Sequence, residues 1–171
     1  MEHGSIKHRL SWQRPLQPAE IPSLTILFFE GLKETKHPYT FLVTEGLVEL
    51  FRIDGMHLVI LNDFQKLTSL AKLALSSLDT VPFKINIDNK IQDVFQRALK
   101  ATELLFTGIT DLSIAACLLT LLVPIGRRFT HPKTTALVRE SLNQIEKTAL
   151  HSLRIGSLIK QKIPTYNAIH P

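Results

Sequence analysis

The sequence holds a single cysteine, Cys117, among 171 residues. No intrachain disulfide can form, and a zinc site built on paired thiolates is excluded. Glycine is scarce at seven residues, and aromatic residues make up 7% of the chain. The glycine-rich phosphate loops GxxxxGK[ST] and GxGxxG are missing, as are HExxH, CxxC and GxSxG. Those absences remove the readable signatures of nucleotide binding, zinc proteolysis, dithiol redox chemistry and serine hydrolysis. No apolar window reaches the ~20 residues of a membrane-spanning helix. The most apolar run, Leu112 to Ile125, reads instead as a core helix with Cys117 buried inside it. The N-terminal residues are polar and rich in His, Lys and Arg, unlike a secretory signal. A place in the cytoplasm or on a cytosolic structure is expected.

Seven histidines are present, and no two have the i, i+4 spacing of a helical metal site. The carboxylate pairs Glu30/Glu34 and Glu45/Glu49 fall at i, i+4, the pattern of solvated helix faces. Catalytic pairs need a cleft and shifted pKa values. The residues give no positive sign of an enzyme, and no catalytic residue, cofactor, metal or small-molecule substrate is expected.

What the sequence does have is helical periodicity. Apolar residues make up 44% and charged residues 20%, as in a soluble domain with a sizeable core. Residues 1–20 read as an arm broken by Pro15 and Pro18, with the sole tryptophan, Trp12, expected to dock on the body. Residues 21–171 read as one all-α domain. Helices are predicted over 22–36, 38–53, 57–78, 88–107, 110–126 and 131–150, with a last short segment from Leu153 to Lys160. Asp79 to Asn89 is the clearest loop, and Pro124 with Gly126 is expected to disrupt the fifth helix. The helices pair as hairpins whose second members begin about 45 residues apart, near the HEAT/armadillo period of ~40–47. A HEAT/armadillo-like stack and a compact orthogonal bundle both fit that pattern. The predicted core comprises Leu27, Phe28, Leu47, Leu50, Phe64, Leu67, Phe95, Leu99, Cys117, Leu118, Leu121, Leu142 and Ile145.

Charge is uneven. The net charge is +5, yet residues 1–111 carry twelve Lys/Arg against thirteen Asp/Glu. Residues 112–171 carry eight Lys/Arg against two Asp/Glu. The C-terminal third is therefore expected to face an acidic partner: nucleic acid, anionic lipid or an acidic protein such as tubulin. Nucleic acid is the poorest fit, because Phe129 and Tyr166 alone are there to stack bases. Arg127, Arg128, Lys133 and Arg139, with Lys160 and Lys162, are the candidate partner-binding residues, expected on one exposed face.

Three segments carry a family resemblance: His3-Gly4-Ser5-Ile6-Lys7-His8-Arg9-Leu10-Ser11-Trp12, then Gly31-Leu32-Lys33-Glu34-Thr35-Lys36-His37-Pro38-Tyr39-Thr40-Phe41, then Ile159-Lys160-Gln161-Lys162-Ile163-Pro164-Thr165-Tyr166. Their order and spacing resemble the parkin co-regulated gene (PACRG) family, closest to its PACRG-like member. The resemblance implies a HEAT/armadillo-like fold without known catalysis. It implies a scaffold of cilia or flagella with tubulin or axonemal proteins as partners, since the better-studied branch bridges tubules at the doublet inner junction. A general cytosolic adaptor without microtubule contact is the alternative. Read locally, His37-Pro38-Tyr39 sets an inter-helix turn with Tyr39 packed on the core, and Lys160 to Tyr166 is a tail docked on the body.

Overall fold

The computed structural model describes residues 10–77, 89–107, 109–129 and 131–170. Eight α-helices appear among them: α1 (Ile21–Glu30), α2 (Tyr39–Leu50), α3 (Met56–Ile60), α4 (Phe64–Leu75), α5 (Asn89–Phe106), α6 (Leu112–Phe129), α7 (Thr135–Thr148) and α8 (Ile155–Lys162). The described residues contain no strand, so the chain is all-α. Most of the expected Asp79–Asn89 loop lies outside the described residues.

Local chemistry sets the boundaries. Pro22 sits in the first turn of α1, where a missing N–H costs nothing. The helix predicted over 57–78 is split, because a 3₁₀ turn over Leu61–Asp63 separates α3 from α4. Asn62 and Asp63 are weak helix formers that compete for their own backbone, and the break falls on them. The expected disruption at Pro124 does not occur: Pro124 lies inside α6, which runs on to Phe129. A helix-interior proline costs ~3 kcal/mol. Burial of Leu121, Leu122, Ile125 and Phe129, each at most 4% exposed, offsets that cost. At the end of α6 the carbonyls have no helical partners left. Thr134 and Thr135 supply them, their hydroxyls donating to the Arg128 and Phe129 carbonyls at 2.7 Å each.

The helices pack in two rows. Helices α1, α4 and α6 touch in that order, and so do α2, α5 and α7. The rows meet through the pairs α1–α2, α4–α5 and α6–α7, while α8 lies against both α6 and α7. Helix α6 is apolar and long enough to cross a membrane by length and composition. Its contacts with α4, α5, α7 and α8 account for that apolarity, and its remaining stripe, from Leu112 through Ala116 and Val123 to Arg127, faces solvent.

Phe64, Leu67, Phe95, Leu99, Leu118, Leu121, Leu142 and Ile145 are buried as expected, with Leu47 and Leu50. Three expected core residues are not. Leu27 is 58% exposed, and Phe28 and Cys117 are half-buried at the core's edge. The apolar run Ile26-Leu27-Phe28-Phe29 is compatible with several stripes, and Phe29 takes the core position at 1% exposure. Phe28 packs over Gly46 of α2, where a Cβ would come within 2.5 Å of its ring. Trp12 completes this stack, its ring centroid 6.4 Å from that of Phe28, so the arm is docked on α1 as expected. Tyr39 is not packed on the core; it is 56% exposed.

Phe95 is fully buried on α5. Phe95→Ala is expected to cost about 3–5 kcal/mol, read by urea denaturation, the range for a truncated core aromatic. A loss below about 1 kcal/mol would mean the site relaxes or the packing is wrong. Near the arm, Arg14 grips Glu20 through both guanidinium nitrogens, and the Gln17 amide donates to the same carboxylate at 2.9 Å. The Arg14 hydrogen bond, then the Gln17 amide, hold Glu20 at about 2. A carboxylate depressed in the folded state contributes stability above its unfolded value, and that contribution is lost as pH falls through the folded value. An NMR titration is expected to place Glu20 near 2, and Arg14→Ala should move it toward the ordinary range.

Candidate functional site

The expected basic residues lie on elements that the fold brings together. Arg127 ends α6, Lys133 lies in the α6–α7 turn, Arg139 is on α7, and Lys160 and Lys162 are on α8. All five are exposed. Arg128 is not, at 3% exposure. Leu121, Ile125 and Arg128 follow i, i+4, i+7 spacing along the inner stripe of α6, so Arg128 points inward while Arg127 points out. The expectation that both arginines share one exposed face is corrected accordingly.

The tail holds this corner together. Tyr166 is 1% exposed, and its hydroxyl donates to Glu146 Oε2 at 2.6 Å and lies 2.9 Å from Asn143 Oδ1. The His170 amide donates to Glu146 Oε1 at 2.7 Å. Burial, followed by the Glu146 hydrogen bond, pushes the Tyr166 hydroxyl well above its ordinary range. The Tyr166 ring meets Phe129 edge-on at 6.4 Å, and the Arg139 guanidinium lies 5.8 Å from the same Phe129 ring. Ile163 packs at Gly126, which joins the ends of α6 and α8. Glu146 is one of the two acids in residues 112–171, and it is 4% exposed with its oxygens occupied. The positive charge of this corner therefore lacks a surface carboxylate from Glu146 to offset it.

A second feature was invisible in the sequence. A groove of about 690 Å³ runs between α2, α5 and α7. Thr35, His37, Thr40 and Phe41 form one end, Glu45 and Thr44 continue along α2, and Leu137, Glu140 and Ser141 come from α7. Its floor is α5, with Asp93, Arg97, Lys100 and Glu103. Arg97 is 7% exposed and donates through Nη1 to the Leu32 carbonyl at 3.0 Å and the Glu34 carbonyl at 2.7 Å. Burial lowers its pKa, opposed by Asp93 and Glu34. It ties α5 to the chain end of the α1 hairpin. Ser141 donates to Glu103 Oε2 at 3.1 Å and ties α5 to α7. The available signal was a charged residue on the apolar stripe: Val94, Arg97, Ala98 and Ala101 share one face of α5.

Among the described residues, no three His, Cys, Asp or Glu side chains are grouped to hold a metal. The Glu45/Glu49 pair is divided, with Glu45 on the groove and Glu49 bonded to Arg52.

The sequence model of the Parkin co-regulated protein family matches residues 1–168. The chain belongs to this family. It is not a known enzyme family. In this Parkin co-regulated protein family member, the segment from Gly31 to Phe41 builds one end of the groove, and the segment from Ile159 to Tyr166 docks on the body through buried Ile159, Ile163 and Tyr166.

Gly156 of α8 tests the tail. A Cβ there would meet Glu146 Oε1 at 2.1 Å and the Ala168 Cβ at 2.9 Å. Gly156→Ala is expected to displace the tail and cost about 1–3 kcal/mol, since overpacking is destabilising. Hydrogen exchange should report the loss at Tyr166 and His170 before the rest of the fold opens. Unchanged protection at both would mean Glu146 does not hold the tail.

Proposed function

We propose that this Parkin co-regulated protein family member is a non-enzymatic, microtubule-associated scaffold of cilia and flagella, built as a HEAT/armadillo-like stack of helical hairpins. The observation that carries the reading is the family match over residues 1–168. The two rows of helices support the stacked-hairpin form, because hairpins that touch only their neighbours leave long surfaces for partners. The exposed cations Arg127, Lys133, Arg139, Lys160 and Lys162 support an acidic partner, and tubulin is acidic. The cytoskeleton, and within it the axoneme, is the proposed location.

Co-sedimentation with taxol-stabilised microtubules tests the proposal, with and without the acidic tubulin tails. Exposed charges act over a Debye length of ~8 Å at physiological salt and mainly tune encounter and salt dependence. Arg127→Glu combined with Lys133→Glu is expected to weaken binding roughly tenfold at low salt and far less at high salt. Lys33→Glu with Lys36→Glu should matter less. Equal loss from both pairs would remove the basic corner as the electrostatic site. No binding by the unaltered chain at any salt would favour a cytosolic adaptor without microtubule contact.

A further inference from the structure

We propose that the groove between α2, α5 and α7 docks a basic, extended segment of a partner protein. This goes beyond the microtubule reading and stands without it, because it concerns a different surface of opposite charge.

The charge of the lining points to the occupant. Each helix contributes a carboxylate, Glu45 from α2, Asp93 from α5 and Glu140 from α7. None of the three takes part in the ion pairs found among the described residues. Two of the cations in the groove are already engaged. Arg97 is turned onto the Leu32 and Glu34 carbonyls, and Lys100 pairs with Glu103. The lining carries four carboxylates against three cations, and with the Lys100–Glu103 pair set aside Glu45, Asp93 and Glu140 remain beside Lys90 and Arg97, in a chain whose net charge is positive. A nucleic-acid strand or an acidic peptide would meet those carboxylates as like charge, whereas arginine or lysine heads would be paired by them.

The rest of the lining fits a peptide better than an apolar small molecule. Drug-sized pockets of ~300–1,000 Å³ are lined mainly by apolar side chains. This groove is of that size, but Phe41, Leu99 and Leu137 are the three apolar side chains of its lining, and the others carry polar or charged groups. Phe41 and Leu137, both half-buried, provide footing for the alkyl stems of long basic side chains, with Leu99 buried beneath. Thr35 and Gln96, both exposed, offer hydrogen-bonding groups to a peptide backbone.

Fluorescence polarisation with the full chain tests the proposal, using a short fluorescein-labelled peptide that alternates arginine and leucine. Binding is expected at low salt and should weaken as salt rises. The combined variant Glu45→Gln, Asp93→Asn and Glu140→Gln should weaken it by about tenfold or more. A second variant, Glu30→Gln with Asp54→Asn, removes two exposed carboxylates outside the groove and should bind as the unaltered chain does. Circular dichroism should show both variants folded, since each substitution keeps the side chain's size on an exposed or half-buried position. Hydrogen exchange should show added protection in α2, α5 and α7 when the peptide binds. The proposal is overturned by absence of binding at low salt, by equal binding of a peptide alternating glutamate and leucine, by equal loss in both variants, or by protection appearing elsewhere.

Discussion

Burial of the α4–α5 hairpin from both sides is the constraint on which the other elements depend. Helix α4 meets α1 and α6 in its row, and α5 meets α2 and α7 in the other. Phe64 and Phe106 cross edge-on at 5.2 Å inside the hairpin, and Phe95, further along α5, is fully buried. Neither helix could keep such a stripe in water. The α1–α2 hairpin covers one flank and the α6–α7 hairpin covers the other. Arg97 and Ser141 then fix those flanks with hydrogen bonds, the first to backbone carbonyls and the second to Glu103. The groove exists because α2 and α7 both pack on α5 and leave a channel above it.

Helix existence was legible because the 3.6-residue period is strong in α5 and α7. Precision failed where that signal is degenerate. Four consecutive apolar residues, Ile26 to Phe29, allow more than one buried stripe, and the choice between Leu27 and Phe29 is made by what α2 and α4 present. Pro124 shows local propensity overridden by packing, since a broken turn would have exposed Ile125 and Phe129. The 61–63 break is the reverse case, in which two weak helix formers fall where no packing demands continuity.

The two charged surfaces were unequally readable. A surplus of Lys and Arg in the last third is a property of composition, so the basic corner could be anticipated. Its membership could not, because adjacent arginines point 100° apart on a helix, and composition alone does not say that Arg128 rather than Arg127 lies on the inner stripe of α6. The groove is assembled from residues separated by up to 106 positions, such as Thr35, Asp93 and Ser141, whose spacing carries no pattern. Charge compensation inside it, with Arg97 on carbonyls and Lys100 on Glu103, is visible only once the helices are placed.

The tail has a consequence for assembly. Helices stacked in rows leave a raw apolar flank at each end, to which another copy's flank could add. At one end α8, Ile163 and Tyr166 lie over α6 and α7, and the Glu146 hydrogen bonds fasten them there. At the other, Trp12 and Leu16 of the arm lie against the body beside Phe28. The chain's own arm lids one flank and α8 with the tail lids the other, as capping units lid a solenoid. A second copy would have to displace one of these covers before its helices could continue a row.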